Sequence, residues 1–449
     1  MSVLRIGAGA GFSGDRIAPA VELAEKGNLD FLVFECLAER TIALAQQARL
    51  KDPAAGFDPM LERRMRAVLP ISARNGTRIV SNMGAANPLA AARLVRKVAQ
   101  DLGLHHLKIA AVTGDDVLNV VGPFKLDETG ATASSMGDRL ISANAYIGIA
   151  PIVAALDAGA DVVICGRASD PALFLAPLVH HFGWPMDDWT RLGRGTLVGH
   201  LLECSAQVTG GYFADPGVKD VPDLARIGFP LAEVAEDGNA VITKVAGTGG
   251  CVTRATCTEQ LLYEIHDPEN YIQPDVVADF SRVSIEQIGP DRVAVSGADG
   301  RAATGYFKIS VGYRDGWKAD GQITYAGANN IARAKLAADL VLQRLADAGI
   351  ALTESRYDLI GYDSVPRAVT AENMAQPHEV RMRFAARCRT SEIANQVVDE
   401  VEGLYLCGPA GGGGVTRSVR EIIAIASTLM PSKDVQTSFE MLETQDAVA

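Results

Sequence analysis

From residue 4 to about residue 190 the chain alternates short apolar runs with longer amphipathic stretches, and no other feature constrains its fold as strongly. "LRIGAG" gives way to "DRIAPAVELAEKG", "DFLVFE" to "LAERTIALAQQARL", and "TRIVSN" to "PLAAARLVRKVAQDLG". The run continues with "LKIAAVTG", and later "PIVAALDAGA" leads into "DVVICG". Short strands spaced by amphipathic helices build β-α units and a mainly parallel sheet. An open, layered α/β sheet is expected, because the eight regular units of a barrel cannot be counted. Abundant Gly and Ala with few aromatics suit close packing of helices on such a sheet.

The texture changes near residue 225. "LAEVAEDGNAVITKVAG" reads as two strands around Asp237-Gly238, a hairpin cue. "RVAVSGADGRAATGYFKISVGYRDGWKADGQITYAG" reads as further antiparallel strands. "NIARAKLAADLVLQRLADAG" is a long helix with an i, i+3, i+4 apolar face, and "YDLIGYDS" and "EVRMRFAARCRT" add two strands. "SFEMLETQDAVA" reads as a tail. The expected organisation is an α/β, Rossmann-like domain with a mainly parallel layered sheet and Gly-rich strand ends over 1–224. An α+β domain with antiparallel strands and a Gly-rich loop at 408–415 follows over 225–449. A length of 449 residues suits two domains, or three.

A net charge of −12 argues against a nucleic-acid partner, while leaving room for anionic substrates held by a local Arg or backbone NH groups. Apolar stretches are broken by Gly, Pro or charge before membrane-spanning length, and no basic leader or apolar signal opens the chain. Seven scattered cysteines without a C-x-x-C pair read as reduced thiols, so a cytoplasmic location is expected and a zinc ribbon is not. A homo-oligomer is the base expectation for a metabolic enzyme of this size.

Candidate chemistry clusters at the predicted strand ends, where open α/β sheets place ligands. Gly9, Gly11 and Gly14 spell G-x-G-x-x-G, with Glu35 ending the next strand where an acid would hold a ribose. Asp15, however, puts a negative charge where a pyrophosphate needs a positive helix end. The loop is therefore read as a cleft wall, with Asp15 and Arg16 as substrate contacts and NAD(P) as the alternative. "FECLAERT" offers Glu35, Cys36 and Arg40, against a plainer reading of a buried Cys and a surface Glu39-Arg40 pair. In "SNMGAANP", capping explains Asn87 ahead of Pro88 but not Asn82. "VTGDDV" offers Asp115 and Asp116 as metal ligands, bases or caps. In "ICGRASDPALF", Ser169 or Asp170 caps a helix and Arg167 is free to clamp a carboxylate or phosphate.

In "GHLLECSAQVTGGYF", His200, Glu203, Cys204 and Gln207 share one helical face and can supply a base or a metal site. The pattern is not the H-E-x-x-H zinc motif, and no metal is assigned. "AGTGGCVTR" and "CGPAGGGGVTRSVRE" each read as a glycine loop between a strand and a helix-like segment. Gly411, Gly412, Gly413 and Gly414 offer NH groups to an anion or oxyanion, with Asn329 of "TYAGANN" as a neighbour.

Taken together, "GAGAGFSGDRI", "FECLAERT", "SNMGAANP", "ICGRASDPAL", "GHLLECSAQVTGGYF" and "GPAGGGGV" resemble the acyclic terpene utilisation protein family, over essentially the entire chain. The resemblance implies a metabolic enzyme acting on a small-molecule carboxylate or its acyl-CoA thioester, and a small partner subunit in some members. It brings no established catalytic residues. The function expected is a hydratase or lyase that requires no cofactor beyond CoA as a substrate carrier. Glu203 or Glu35 is its base, His200 assists, and Cys36 or Cys204 is a nucleophile in an acyl-transfer variant. Arg167, Asn82 and the Gly411–Gly414 amides hold substrate. The alternatives are an NAD(P)-dependent oxidoreductase and a non-catalytic acyl-CoA-binding subunit.

Overall fold

A computed structural model describes residues 3–364 and 377–442. The chain divides into two compact units, Met1–Gly312 with Ile425–Ala449, and Tyr313–Ala424. The elements in chain order begin with β1 (Val3–Ala10), α1 (Ala18–Lys26), β2 (Phe31–Phe34), α2 (Glu39–Lys51), α3 (Leu61–Asn75), β3 (Arg78–Ser81), α4 (Pro88–Asp101) and β4 (Ile109–Thr113). Then come β5 (Leu140–Ala145), α5 (Ala150–Asp157), β6 (Val162–Cys165), α6 (Ala172–Phe182), α7 (Trp189–Glu203), β7 (Pro230–Ala235), β8 (Ala240–Lys244) and α8 (Arg254–Leu262). Next are β9 (Tyr271–Ile272), β10 (Val276–Asp279), β11 (Ser284–Gly289), β12 (Arg292–Ser296), β13 (Asp299–Ala302) and β14 (Tyr306–Ala326). The last are α9 (Asn330–Asp347), β15 (Glu354–Ile360), β16 (Glu379–Cys388), α10 (Ser391–Cys407), β17 (Gly412–Pro431) and β18 (Ser438–Leu442).

The first unit is built on a ten-stranded sheet of order β11-β12-β8-β7-β1-β2-β3-β6-β4-β18. Strands β1, β2, β3, β6 and β4 are parallel, as the apolar runs predict. The arrangement differs from a Rossmann sheet, in which parallel strands flank the first strand on both sides. Here β7 pairs antiparallel to β1, and β8, β12 and β11 extend that edge. The compact division therefore falls at Gly312 and Ile425 rather than near residue 224, because residues beyond 225 complete the first sheet. The Asp237-Gly238 turn joins β7 to β8 as expected. The predicted tail is in part a strand: β18 pairs antiparallel with β4, and residues 443–449 lie outside the described residues.

Helices cover the two faces of the sheet by turns. Leu32, Phe34, Ile79 and Ile164 share one apolar core with α1, α3 and α4. Phe31, pointing the opposite way from Leu32, meets His180 of α6 edge-on. Strand β3 thus leads into a helix on one face, and its neighbour β6 into a helix on the other. Adjacent strands whose connections part in this way leave a crevice beyond their carboxyl ends.

Helix α7 lies between α6, strands β1 and β7 of the large sheet, and a three-stranded sheet of order β13-β10-β9. It is buried along nearly its whole length, from Leu192 to Glu203. Three glycines inside it, Gly193, Gly195 and Gly199, lower helix propensity by up to about 1 kcal/mol each. They are present because neighbours crowd the helix. A Cβ on Gly199 would stand 2.7 Å from the Pro171 carbonyl oxygen.

The second unit has a sheet of order β15-β16-β14-β17, antiparallel from β15 to β14, with α9 and α10 packed on it around Phe384, Met382 and Val401. The glycine run at 411–414 does not precede a helix. It opens the twenty-residue strand β17. The β-branched residues of "GVTRSVREIIAI" favour the extended form over the helix its charges suggest.

Gly199→Ala and Gly403→Ala test this packing account through the same substitution in two helices. Gly403 in α10 has no atom near a built Cβ, so Gly403→Ala should stabilise by up to about 1 kcal/mol. Gly199→Ala should instead destabilise by about 1–3 kcal/mol, despite its better helix propensity. Urea unfolding of both variants checks the opposite signs.

Candidate active site

The loops after β2, β3 and β6 meet at the crevice, and a cavity of about 770 Å³ opens there. Every residue lining it belongs to the first unit. Five carboxyl side chains reach its wall: Glu35, Glu39, Asp170, Glu203 and Glu264.

Glu35 is held by the loop after β3. Its Oε1 accepts from Asn82 Nδ2 at 2.8 Å and from the Leu37 amide at 2.9 Å. Asn82 also accepts from the Cys36 amide at 2.8 Å through its own Oδ1. Asn82, unexplained by capping, thus fixes the carboxyl group and the turn that carries it. Burial, reinforced by the Asp170 charge, pushes the Glu35 carboxyl well above the usual range, and the two donors and Arg167 offset this only in part. Burial therefore favours the protonated form of Glu35. Asn87 caps α4 through Ala90, as predicted.

Arg167 is fully buried and does not line the cavity. Its guanidinium donates to the Leu37 carbonyl and to Asp170, and stacks 4.1 Å from the centre of the Tyr146 ring. Its amide donates to Asp115 Oδ2 at 2.9 Å, where Asn144 Nδ2 also binds at 2.8 Å. The expected carboxylate clamp is instead an internal tie, because the guanidinium is sealed from the cavity and its two terminal nitrogens are engaged by the protein, while Nε has no partner among the described residues. Neither Ser169 nor Asp170 caps α6, whose N-cap is Pro171. Asp170 pairs with Arg167, and Ser169 donates to Gln273. Asp115 is a buried anchor, with its carboxyl raised by burial to about 6.

Glu203 and His200 form the second part of the site. Nδ1 of His200 lies 2.9 Å from Glu203 Oε1, and Nε2 lies 3.2 Å from the Leu261 carbonyl oxygen. The imidazole packs against Tyr271 and Phe280, nearly sealed from solvent. Burial raises Glu203 to about 7, with His200 pulling the other way. His200 in turn is raised: desolvation of the imidazolium is the largest effect and lowers it, but the Glu203 charge together with hydrogen bonds to Glu203 and to the Leu261 and Gln260 backbone outweighs it. Glu203 reaches the cavity and His200 sits behind it. Helix α7 ends at Glu203, and Ser205–Thr209 forms a 3-10 turn. Cys204 and Gln207 therefore do not continue one α-helical face. Burial pushes the Cys204 and Cys36 thiols up, and Cys36 does not line the cavity.

The opening loop is built for packing. A Cβ on Gly9 would fall 2.6 Å from the Phe34 ring, and one on Gly11 2.6 Å from the Cys204 carbonyl carbon. Arg64, fully buried, donates to the carbonyls of Phe12, Ser13 and Asp15 at 3.2, 2.8 and 3.1 Å, and to Cys36 Sγ at 3.2 Å. Asp15 Oδ2 accepts from the Gly11 amide at 3.0 Å, and α1 begins only at Ala18. A dinucleotide loop would leave such an amide for the pyrophosphate. Arg16 donates to the Ala225 carbonyl at 3.0 Å. Within 9–16, Gly11 reaches the cavity and Asp15 and Arg16 do not.

Gly411–Gly414 and Asn329 belong to the second unit. Arg333 ties the glycine turn by donating to the Ala410 carbonyl at 2.6 Å, and Asn329 adopts a left-handed conformation at the N-cap of α9. Among the described residues, no group of three or more His, Cys, Asp and Glu side chains is set to hold a metal ion.

Sequence reasoning missed Tyr146, Lys308 and the role of Glu39. The Tyr146 hydroxyl donates to Glu39 Oε1 at 2.6 Å, and Lys308 Nζ to the same oxygen at 3.0 Å. Burial alone would raise Glu39, but these two partners win and lower it to about 2. Tyr146 follows β5 directly, a strand-end position that could have flagged it. Lys308 arrives from β14 with no local signal.

Fold and site define an α/β protein with an acid-lined cavity at the carboxyl ends of a parallel sheet. The chain belongs to the acyclic terpene utilisation family protein AtuA, whose family model matches residues 4–441. No curated protein matches it. Among the described residues, no helix is long and apolar enough to cross a membrane.

Asp115 gives a signed pH test. Its folded carboxyl titrates near 6 against an ordinary 3.8, so the folded state holds the proton more tightly. Its contribution to stability is greatest below about pH 4 and is lost as pH rises to about 6. Asp115→Asn should therefore gain stability relative to the natural protein across that interval, read from urea midpoints at both ends.

Proposed function

We propose that this family member is a hydratase, or hydro-lyase in reverse, acting on an unsaturated or hydroxylated carboxylate skeleton, taken as the acid or its acyl-CoA thioester. The observation that supports this most is a pair of carboxyl groups in one cavity with divided roles. Glu203, near 7 and backed by His200, suits a base. Glu35, whose protonated form burial favours and which Asn82 positions, suits an acid. Environments that separate two titratable groups are how one site supplies both acid and base.

In the hydration direction, Glu203 takes a proton from water as its oxygen bonds to the β carbon. The double-bond electrons move to the α carbon, which takes the proton of Glu35. Glu203 ends neutral and Glu35 ionised, and proton exchange with solvent restores both. His200 is a positioning residue that shares a proton with Glu203. The Tyr146–Glu39–Lys308 group shapes one wall and keeps its charge fixed.

The test is hydration of branched α,β-unsaturated acids and their CoA thioesters, followed as loss of enoyl absorbance. kcat/KM should rise with pH through about 7 as Glu203 ionises. Glu203→Gln should lower kcat by roughly a hundred- to ten-thousandfold. Unchanged turnover in that variant would remove Glu203 from the mechanism.

A further inference from the structure

One atom at the cavity wall is left without a partner. Among the described residues nothing donates a hydrogen bond to Glu203 Oε2, which is buried although Glu203 lines the cavity. The chemistry of this oxygen follows from its neighbours. The Leu261 carbonyl can only accept, so His200 Nε2 carries a hydrogen toward it. The contact between His200 Nδ1 and Glu203 Oε1 at 2.9 Å then holds one proton, on either the nitrogen or the oxygen. In both arrangements Oε2 is an acceptor that needs a donor. Leaving a buried acceptor unpaired is costly, so a ligand that supplies the donor gains by it.

Glu35 restricts the donor further. Its Oε1 is saturated by Asn82 Nδ2 and the Leu37 amide, so a proton on this carboxyl group sits on Oε2, from where it can be given to a ligand. Asp170, Glu39 and Glu264 share the same wall, which opposes an incoming carboxylate. An ammonium brings three donors, of which Glu203 Oε2 can meet only one. A ketone brings an acceptor to an acceptor.

We infer that the cavity recognises an uncharged hydroxyl group, which donates to Glu203 Oε2, and that any carboxylate or thioester of the substrate lies away from this end. The inference rests on the proposed acid-base reading and names which part of the substrate enters first.

Four small probes of one branched skeleton test it: methyl isobutyl carbinol, methyl isobutyl ketone, isovalerate and isoamylamine. Binding is measured by ligand-observed NMR at neutral pH on the natural protein and on Glu203→Gln and Glu203→Leu. The carbinol should bind about tenfold more tightly than the ketone. Glu203→Gln should keep that preference, because its amide NH2 can donate to His200 Nδ1 while its oxygen still faces the ligand. Glu203→Leu should lose it. Equal binding of carbinol and ketone by the natural protein, or tightest binding of isovalerate or isoamylamine, overturns the inference. Turnover separates the two claims. A Glu203→Gln protein that prefers the carbinol and still hydrates substrate would sink the acid-base reading and leave hydroxyl recognition standing.

Discussion

Arg167 is the interaction on which the site depends. A guanidinium sealed from water is tolerated only when charge and hydrogen-bonding partners surround it. The guanidinium's partners come from the ends of three different strands, Leu37 beyond β2, Tyr146 beyond β5 and Asp170 beyond β6, and the Arg167 backbone amide adds Asp115 beyond β4. Satisfying one buried cation therefore ties together the loops that make one side of the cavity. Glu35 is two residues from Leu37, so its position follows from the same tie.

The charge of Arg167 also shapes the electrostatics it organises. It neutralises Asp170 locally while Glu39 finds its own partners in Tyr146 and Lys308. Burial holds Glu35 and Glu203 high, and Asp170 with them despite Arg167. On the far side, α7 is gripped between two sheets and ends at Glu203. Its glycines admit Pro171 and the small sheet so closely that the helix end cannot drift from the loop bearing Asp170. A crevice created by topology thus becomes a cavity with two buried carboxyl groups held in place.

Much of this was legible in the sequence. The alternating apolar runs predict the parallel strands, and Asn87-Pro88 predicts the start of α4. Glu35, Glu203 and His200 stood out as polar groups at strand and helix ends, and the structure brings Glu35 and Glu203 to one cavity with His200 behind Glu203. What could not be read were long-range uses of strong side chains. Arg167 looks like a ligand clamp until Leu37 and Asp170, distant from each other in sequence, consume it. Asp15 looks like a substrate contact until it folds back on the Gly11 amide. The run Gly411–Gly414 looks like an oxyanion loop, but it belongs to another unit, and local pattern carries no information about that. Lys308 was invisible because nothing near it in sequence marks a partner separated by hundreds of residues.

The account stands on Glu35 remaining a neutral acid beside an ionisable Glu203. Infrared difference spectroscopy of the ligand-free protein tests this most directly, comparing the natural chain with Glu35→Gln in heavy water at neutral pH. A protonated-carboxyl stretching band present in the natural protein and missing from Glu35→Gln is the predicted result. Spectra that share the same protonated-carboxyl region, with the variant losing only ionised-carboxylate intensity, would show Glu35 charged and contradict the account.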